Sequence, residues 1–272
     1  KESVGFGTGC SKEIKTKILV MKTLNIKDAA IVTVRNSSSR LPNKAIMKIK
    51  DQLRSIDIVI SRAKKTGFAV IIATSTDKTD DVFEEIAKEH NVQLFRGALL
   101  NKIKRWYDCF QKFKVENALI LDGDDLARSY DIGKRAVYEL KRKQLEYIEN
   151  PPDTVTGFFT CAFTKKAISK LYNIVPNENT DTDVITKFVE KANLKIDYVT
   201  LEDFERDTKI RLTLDYEEDL EFFRALYNEI DILASGKTII DFLKKHENLI
   251  RINIDRQKDF LENQRKFNEE IK

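Results

Sequence analysis

Apolar and polar positions alternate along this chain in blocks, and each block fits one of two periods. AAIVTV (residues 29–34) is a near-continuous, partly β-branched apolar run, which predicts a strand buried on both faces. SIDIVISRAKK (55–65) places its apolar residues at helical spacing, and FAVIIAT (68–74), entered through Gly67, predicts a second buried strand. DDVFEEIAKEH (80–90) predicts a helix with acids in its first turn, and His90 at its end suits the helix dipole. VQLFR (92–96), stopped by Gly97, predicts a strand, LLNKIKRWYDCFQKF (99–113) a helix, and ALILD (118–122) a strand. Strands separated by helices of this length indicate βαβ units around a parallel sheet, with right-handed crossovers.

Beyond about residue 150 the rhythm loosens. VTGFFTCAF (155–163), KIDYV (195–199) and KIRLTL (209–214) predict strands; residues 165–175, 183–193 and the stretch from Asp215 predict helices. IIDFLKKHENLI (239–250) and the charged run 256–272 close the chain as helix. The expected fold is α/β: a Rossmann-like, mostly parallel central sheet flanked by helices, with a helical C-terminal appendage. The expected division is an extension over 1–27 and one unit over 28–272, whose parts are 28–150, 151–235 and a tail over 236–272. GFGTGC, with Gly5, Gly7 and Gly9, has only four residues before it. That is too few for the strand a phosphate-binding glycine loop needs.

Composition narrows the chemistry. Forty-eight basic against 44 acidic residues leave a net charge of +4, too balanced for a general nucleic-acid binder, so any anion site is local. Cys10, Cys109 and Cys161 are far apart and suit a reducing compartment, with cytoplasm the expected location. Two histidines argue against a histidine-based metal site, and no apolar run reaches the roughly 20 residues of a membrane span. Trp106, Tyr107 and Phe110 fit core packing on a helix, and Cys109 and Cys161 fit small buried apolar residues.

In open α/β sheets ligands sit beyond the carboxyl ends of the strands. Three chemically loaded segments lie there. Following Val34, the loop RNSSSRLPNK carries Arg35, Arg40 and Lys44 with Ser37, Ser38 and Ser39, and no carboxylate. It can supply forked and point-charge donors to a polyphosphate. Residues 73–81 end the second strand. Asp122, Gly123, Asp124 and Asp125 end another, and carboxylates this close suit a hard cation such as Mg²⁺ unless they cap a turn. Asp215 closes RLTLD at a strand terminus, whereas Glu217, Glu218 and Asp219 fall in the first turn of a helix and fit a structural role.

Taken in order, VRNSSSRLPNK, IIATSTDKTDD, LFRGALLNKIKRW, DGDDLA and LDYEEDLEFF resemble the cytidylyltransferases of the spore-coat polysaccharide biosynthesis protein F type, relatives of the CMP-Kdo and CMP-sialic acid synthetases. The likeness runs from about residue 28 to about 260, and it implies the GT-A-like fold of nucleotide-diphospho-sugar transferases, with 28–150 as the nucleotide-binding half and 151–235 as the acceptor or dimerisation half. It implies transfer of CMP from CTP to an acidic sugar or similar small acid, with Mg²⁺ and release of pyrophosphate, and a possible homodimer. It implies that Arg35, Ser38, Arg40 and Lys44 hold the triphosphate. Val34, Ser37, Ser39, Ala73, Thr74, Ser75, Arg96, Gly97, Asp122 and Gly123 would lie about the nucleotide, and Asp124 and Asp215 would bind the metal. Arg35, Arg40, Lys44 and Asp124 are the expected catalytic group. Departures are Asn43 for the usual Gly, Leu126 for Pro, and Asn101 for Asp. TGFFTCAF and NTDTDVITKF lack the acidic and histidine pattern expected of the acceptor half. A phosphonate cytidylyltransferase, a glycosyltransferase using Asp122-Gly123-Asp124, a sugar-1-phosphate nucleotidyltransferase and an inactive scaffold are the alternative readings. The sugar-1-phosphate reading lacks its glycine-rich opening.

Overall fold

A computed structural model describes residues 25–38 and 40–270; the glycines of GFGTGC, Cys10 and Ser39 lie outside them. The chain opens with β1 (Asp28–Thr33), and a loop leads to a short hairpin of β2 (Lys48–Lys50) and β3 (Leu53–Arg54). α1 (Ser55–Lys64), β4 (Ala69–Ser75), α2 (Val82–Glu89), β5 (Gln93–Gly97), α3 (Lys102–Phe113) and β6 (Asn117–Asp122) follow in strict alternation. After these come α4 (Tyr130–Arg142), β7 (Tyr147–Glu149), β8 (Cys161–Thr164), α5 (Lys165–Ile174), α6 (Thr186–Lys191) and β9 (Ile196–Tyr198). Four helices finish the chain: α7 (Glu217–Glu229), α8 (Gly236–Lys245), α9 (Glu247–Asn253) and α10 (Arg256–Glu270).

Seven strands form one sheet in the order β5-β4-β1-β6-β8-β7-β9. The first four are mutually parallel, β8 runs antiparallel to both β6 and β7, and β9 lies parallel to β7. β1 therefore sits in the middle, and its residues divide by parity. Ala30 and Val32 face a core shared with α1, α2, α4, α7 and α8; Ala29 and Ile31 face a second core built with α3, α5 and α6. That division follows from the two-residue period of a strand covered on both faces. The parallel strands bring the ends of β1, β4 and β6 to one edge, with Thr33 opposite Ala73 on one side and Asp122 on the other.

The expected elements before residue 125 fall within one or two residues of the apolar pattern, except that α3 begins at Lys102 rather than Leu99, where Asn101 caps it; the β2–β3 hairpin had no such pattern. Trp106, Phe110, Cys109 and Cys161 are core residues, and burial raises both thiols. The strand expected over 155–163 is corrected to Cys161–Thr164: Gly157 turns the backbone at φ +86°, so a ladder cannot run through it. Residues 209–214 are extended but form only an isolated bridge, Thr156 to Arg211, with Leu212 N–H donating to Thr156 O at 2.9 Å. The helix expected over 239–250 breaks at His246 into α8 and α9. His90 does end α2, but its Nε2 lies 2.8 Å from Asp57 Oδ1, so it also ties α2 to α1. Among the described residues no helix is long and apolar enough to cross a membrane.

The extended segment 211–215 is what carries Asp215 to the sheet edge, and Gly157 lets it pass. A Cβ at Gly157 would lie 2.3 Å from Leu212 O, in a left-handed conformation besides; at Gly67, also left-handed at φ +79°, a Cβ meets nothing within 4 Å. Gly157→Ala is expected to cost about 3 kcal/mol or more in chemical denaturation, and Gly67→Ala only about 1 kcal/mol. Equal losses would contradict this placement of the segment.

Candidate functional site

A cleft opens at the edge where β1, β4 and β6 end. It is lined by the β1 loop (Val34, Arg35, Ser37, Ser38, Arg40, Lys44), the β6 end (Asp122, Gly123, Asp124), α3 (Lys102, Arg105) and Asp183, with Thr33 and Ala45.

Backbone chemistry fixes the β1 loop before any ligand is considered. Asp80, fully buried, accepts from Asn36 N–H at 2.7 Å and from Ser75 N–H and Oγ at 3.1 and 2.5 Å, pinning the loop to the end of β4. Asn43 sits at φ +60°, a conformation that glycine and asparagine tolerate best. Here the departure from the family's glycine keeps the backbone requirement. It also adds a bond, since Asn36 Nδ2 donates to Asn43 Oδ1 at 3.0 Å. A one-turn helix then begins at Lys44 and points its side chain across the cleft.

The centre is a three-membered ion cluster. Lys44 Nζ lies 2.6 Å from Asp124 Oδ2 and 2.9 Å from Asp215 Oδ1. Asp215 Oδ1 also accepts from Arg40 at 2.5 Å, and its Oδ2 accepts from Arg211 at 3.0 Å. The two carboxylates are neighbours because Leu214 N–H donates to Asp124 O at 2.9 Å, sealing segment 211–215 against the β6 loop. Asp219, in the first turn of α7, accepts from the N–H groups of Asp215 and Tyr216 and pairs with Arg211, so it is structural, as its helix position suggests.

Burial sets the charges. It would lower the Lys44 ammonium, but the charges and hydrogen bonds of Asp124 and Asp215 more than offset this and raise it. Burial would likewise raise Asp215, yet Lys44 and Arg40 hold it well below the ordinary carboxylate range. Asp124 moves the other way: burial raises it, Lys44 only partly offsets that, and Asp215 and Asp122 add to it. Asp215 is 1% exposed, Lys44 12% and Asp124 25%.

The rest of the Asp cluster separates. Asp122 Oδ2 accepts from Thr160 Oγ1 at 2.9 Å, and Asp125 pairs with buried Arg128, which also donates to Thr160 Oγ1 at 2.8 Å. Gly123 is where the β6 loop closes on β1: its N–H donates to Thr33 O at 2.9 Å, and a Cβ would come within 2.8 Å of Val34. Leu126 is fully buried in the core, and its carbonyl accepts from Tyr227 Oη at 2.8 Å.

Ala73, Thr74, Ser75, Arg96 and Gly97 lie outside the cleft lining. Ala73 and Thr74 are buried in β4, and Ser75 is held by Asp80. Arg96 pairs with Asp81 and Glu84 and donates to the carbonyls of Ser75 and Asp77. Ser38 is in the lining, with its Oγ 3.4 Å from Leu41 N. Lys102, Arg105 and Asp183, residues without a sequence signal of their own, add an α3 wall to the cleft, and Arg35 of the β1 loop reaches it. Arg35 donates to Leu99 O at 2.9 Å and to Asp183 Oδ1 at 3.2 Å. Buried Arg105 has carbonyls and Thr33 Oγ1 as partners but no carboxylate, and burial with Arg35 nearby lowers its pKa to about 10. Lys102 is chiefly responsible for holding Asp183 below its ordinary value. Asn101 caps α3, accepting from Lys104 N–H at 2.8 Å, a capping bond that Asn and Asp both make.

Asp215 faces three cations from inside the protein and Asp124 one from its edge, so their stability contributions differ. Asp215→Asn is expected to cost about 3–5 kcal/mol, because it leaves buried cations underpaired, and Asp124→Asn about 1 kcal/mol or less. Urea denaturation of both variants checks the order, and the reverse order would contradict the cluster.

A cytidylyltransferase family model matches residues 29–267. An uncharacterized protein of Methanocaldococcus jannaschii is 26% identical over 242 residues, 87% of this chain and 99% of that protein. The spore coat polysaccharide biosynthesis protein SpsF of Bacillus subtilis is 25% identical over 210 residues, covering 73% of this chain and 85% of its own length. Among solved structures, a cytidylyltransferase from Leptospira borgpetersenii superposes with a TM-score of 0.76 at 24% identity, covering 83% of this chain and 97% of that one. With a family match across nearly the whole described fold, the chain belongs to the cytidylyltransferases, CTP-dependent nucleotidyltransferases.

Proposed function

We propose that this protein transfers CMP from CTP to a small acidic acceptor, an acidic sugar of the kind activated for surface polysaccharide, in a Mg²⁺-dependent reaction that releases pyrophosphate. One observation carries the reading: cations of the β1 loop line a cleft with Asp124, and Lys44 there bonds both Asp124 and Asp215, buried just behind the lining.

The roles follow from charge. Arg35, Arg40 and Lys44, with Ser37 and Ser38, line one side of the cleft and would hold the triphosphate by charge-assisted bonds. An acceptor oxygen attacks the α-phosphorus, the bond to the bridging α–β oxygen breaks, and pyrophosphate leaves. Catalysis of such a transfer rests on alignment and on neutralising developing negative charge. Lys44 and Arg40, both within bonding distance of Asp215, are placed to shift from carboxylate to departing pyrophosphate. The donors at the centre are hard oxygens, and Mg²⁺ is characteristically held by one or two carboxylates plus substrate phosphates. Asp124 and Asp215 fit that pattern, and the ion, when bound, supplies charge neutralisation at the α-phosphate. The α3 wall, with Lys102 and Arg105 against one carboxylate, Asp183, supports an acidic acceptor on electrostatic grounds. SpsF carries polysaccharide biosynthesis in its name, which supports the sugar class.

Two measurements test this. With Mg²⁺ present, CTP at 100 times its Kd is expected to stabilise the protein by about 2.7 kcal/mol, with UTP, ATP, GTP and dTTP well behind. A response confined to UDP-sugars would favour a glycosyltransferase instead. Lys44→Ala and Asp124→Asn are each expected to slow pyrophosphate release from CTP and acceptor by at least about 100-fold, and near-normal turnover in either would refute the assignment.

A further inference from the structure

The ion cluster has a property that goes beyond its proposed part in catalysis, although it rests on that reading of Asp124 and Asp215. The oxygens suited to a divalent ion are the same oxygens that the Lys44 ammonium bridges, at 2.6 and 2.9 Å. Asp215 accepts from two further cations as well, Arg40 at 2.5 Å and Arg211 at 3.0 Å, so three of its roughly four acceptor sites are taken. Among the described residues no third acid joins Asp124 and Asp215. Asp122 bonds Thr160, Asp125 pairs with Arg128, and Asp219 pairs with Arg211. Among the described residues no group of three His, Cys, Asp or Glu side chains converges to hold a metal.

An ammonium and a divalent cation cannot occupy one point between two carboxylates, because their repulsion at contact distance is large in so buried a place. Metal entry therefore requires Lys44 to leave, and Lys44, buried but for 12% of its side chain, leaves only for another anion. A triphosphate in the cleft provides that anion. It gives Lys44 and Arg40 phosphate oxygens to bond, and it adds the ligands that two carboxylates alone do not supply.

We infer that Lys44 is an internal cation that keeps divalent metal out of the Asp124–Asp215 pair until a nucleoside triphosphate draws it away. Metal and nucleotide then bind with strong positive coupling, and the free chain has low affinity for metal. The coupling is reciprocal, so metal tightens nucleotide by the factor that nucleotide tightens metal. In the cell this keeps the carboxylates paired between turnovers without a resident metal.

Mn²⁺ is the probe, read by electron paramagnetic resonance on the full chain without nucleotide. Lys44→Met is expected to bind one Mn²⁺ at least about 10-fold more tightly than the unaltered protein, and Lys44→Met with Asp215→Asn is expected to lose that gain. Equal affinity in the unaltered protein and Lys44→Met, or no binding by Lys44→Met, would overturn the inference. A second measurement needs no variant. Mn²⁺ alone is expected to leave the melting temperature of the unaltered protein nearly unchanged, yet to tighten CTP at least about 10-fold. As large a shift from Mn²⁺ without CTP as with it would also overturn the inference. Failure to bind CTP under any condition would instead defeat the proposed function, while the nucleotide-free Mn²⁺ comparison would still judge the role of Lys44.

Discussion

One ammonium group held between two carboxylates is the constraint on which this site depends. Lys44 reaches Asp124 and Asp215, 80 and 171 positions further along the chain, and joins the loop after β1 to the end of β6 and to the segment before α7. Each arm is delivered by a separate local device. Asn43 turns the β1 loop at positive φ, Asp80 pins its start, and Gly123 lets the β6 loop close on Val34. Gly157 opens the path for residues 211–215, and Asp219 locks Asp215 from behind with Arg211. A buried charge without a partner costs several kcal/mol, so these devices and the ion cluster stabilise one another.

The cleft that results is electrically divided. On one side carboxylates and cations are closely matched, an arrangement that would suit exchange of partners under the proposed binding of a triphosphate. On the α3 side Lys102 and Arg105 outnumber Asp183, and among the described residues Arg105 bonds carbonyls rather than a carboxylate. Net charge hides this division. A chain of +4 overall concentrates its useful field in one place, where low-dielectric walls strengthen it.

Much of this was legible in the sequence, for physical reasons. Buried parallel strands are near-continuous apolar runs, so β1, β4, β5 and β6 declared themselves, and with them the edge where the cleft opens. Arg35, Arg40, Lys44, Asp124 and Asp215 stood out because polar groups at strand ends have no core to serve. The second half was harder. α4 buries Ile132, Ala136, Val137 and Leu140 at helical spacing, but its dense charge masked the stripe, and β7 has only three residues. Extended segment 211–215 looked like a strand because burial, not pairing, makes a residue apolar. Lys102, Arg105 and Asp183 gave no signal, since a cation on a charged helix looks solvated until the fold buries it. The departures at Asn43 and Asn101 looked like defects in sequence; in the fold one keeps the positive φ and the other keeps the helix cap.

The claim that Lys44 joins these parts energetically is tested most directly by a double-mutant cycle in chemical denaturation, using Lys44→Met, Asp215→Asn and the two combined, with neither nucleotide nor metal present. Residues bonded as these are should show a coupling of about 1–3 kcal/mol. Losses that simply add, to within about 0.5 kcal/mol, would mean that Lys44 and Asp215 do not sense each other, and the site as described would not exist.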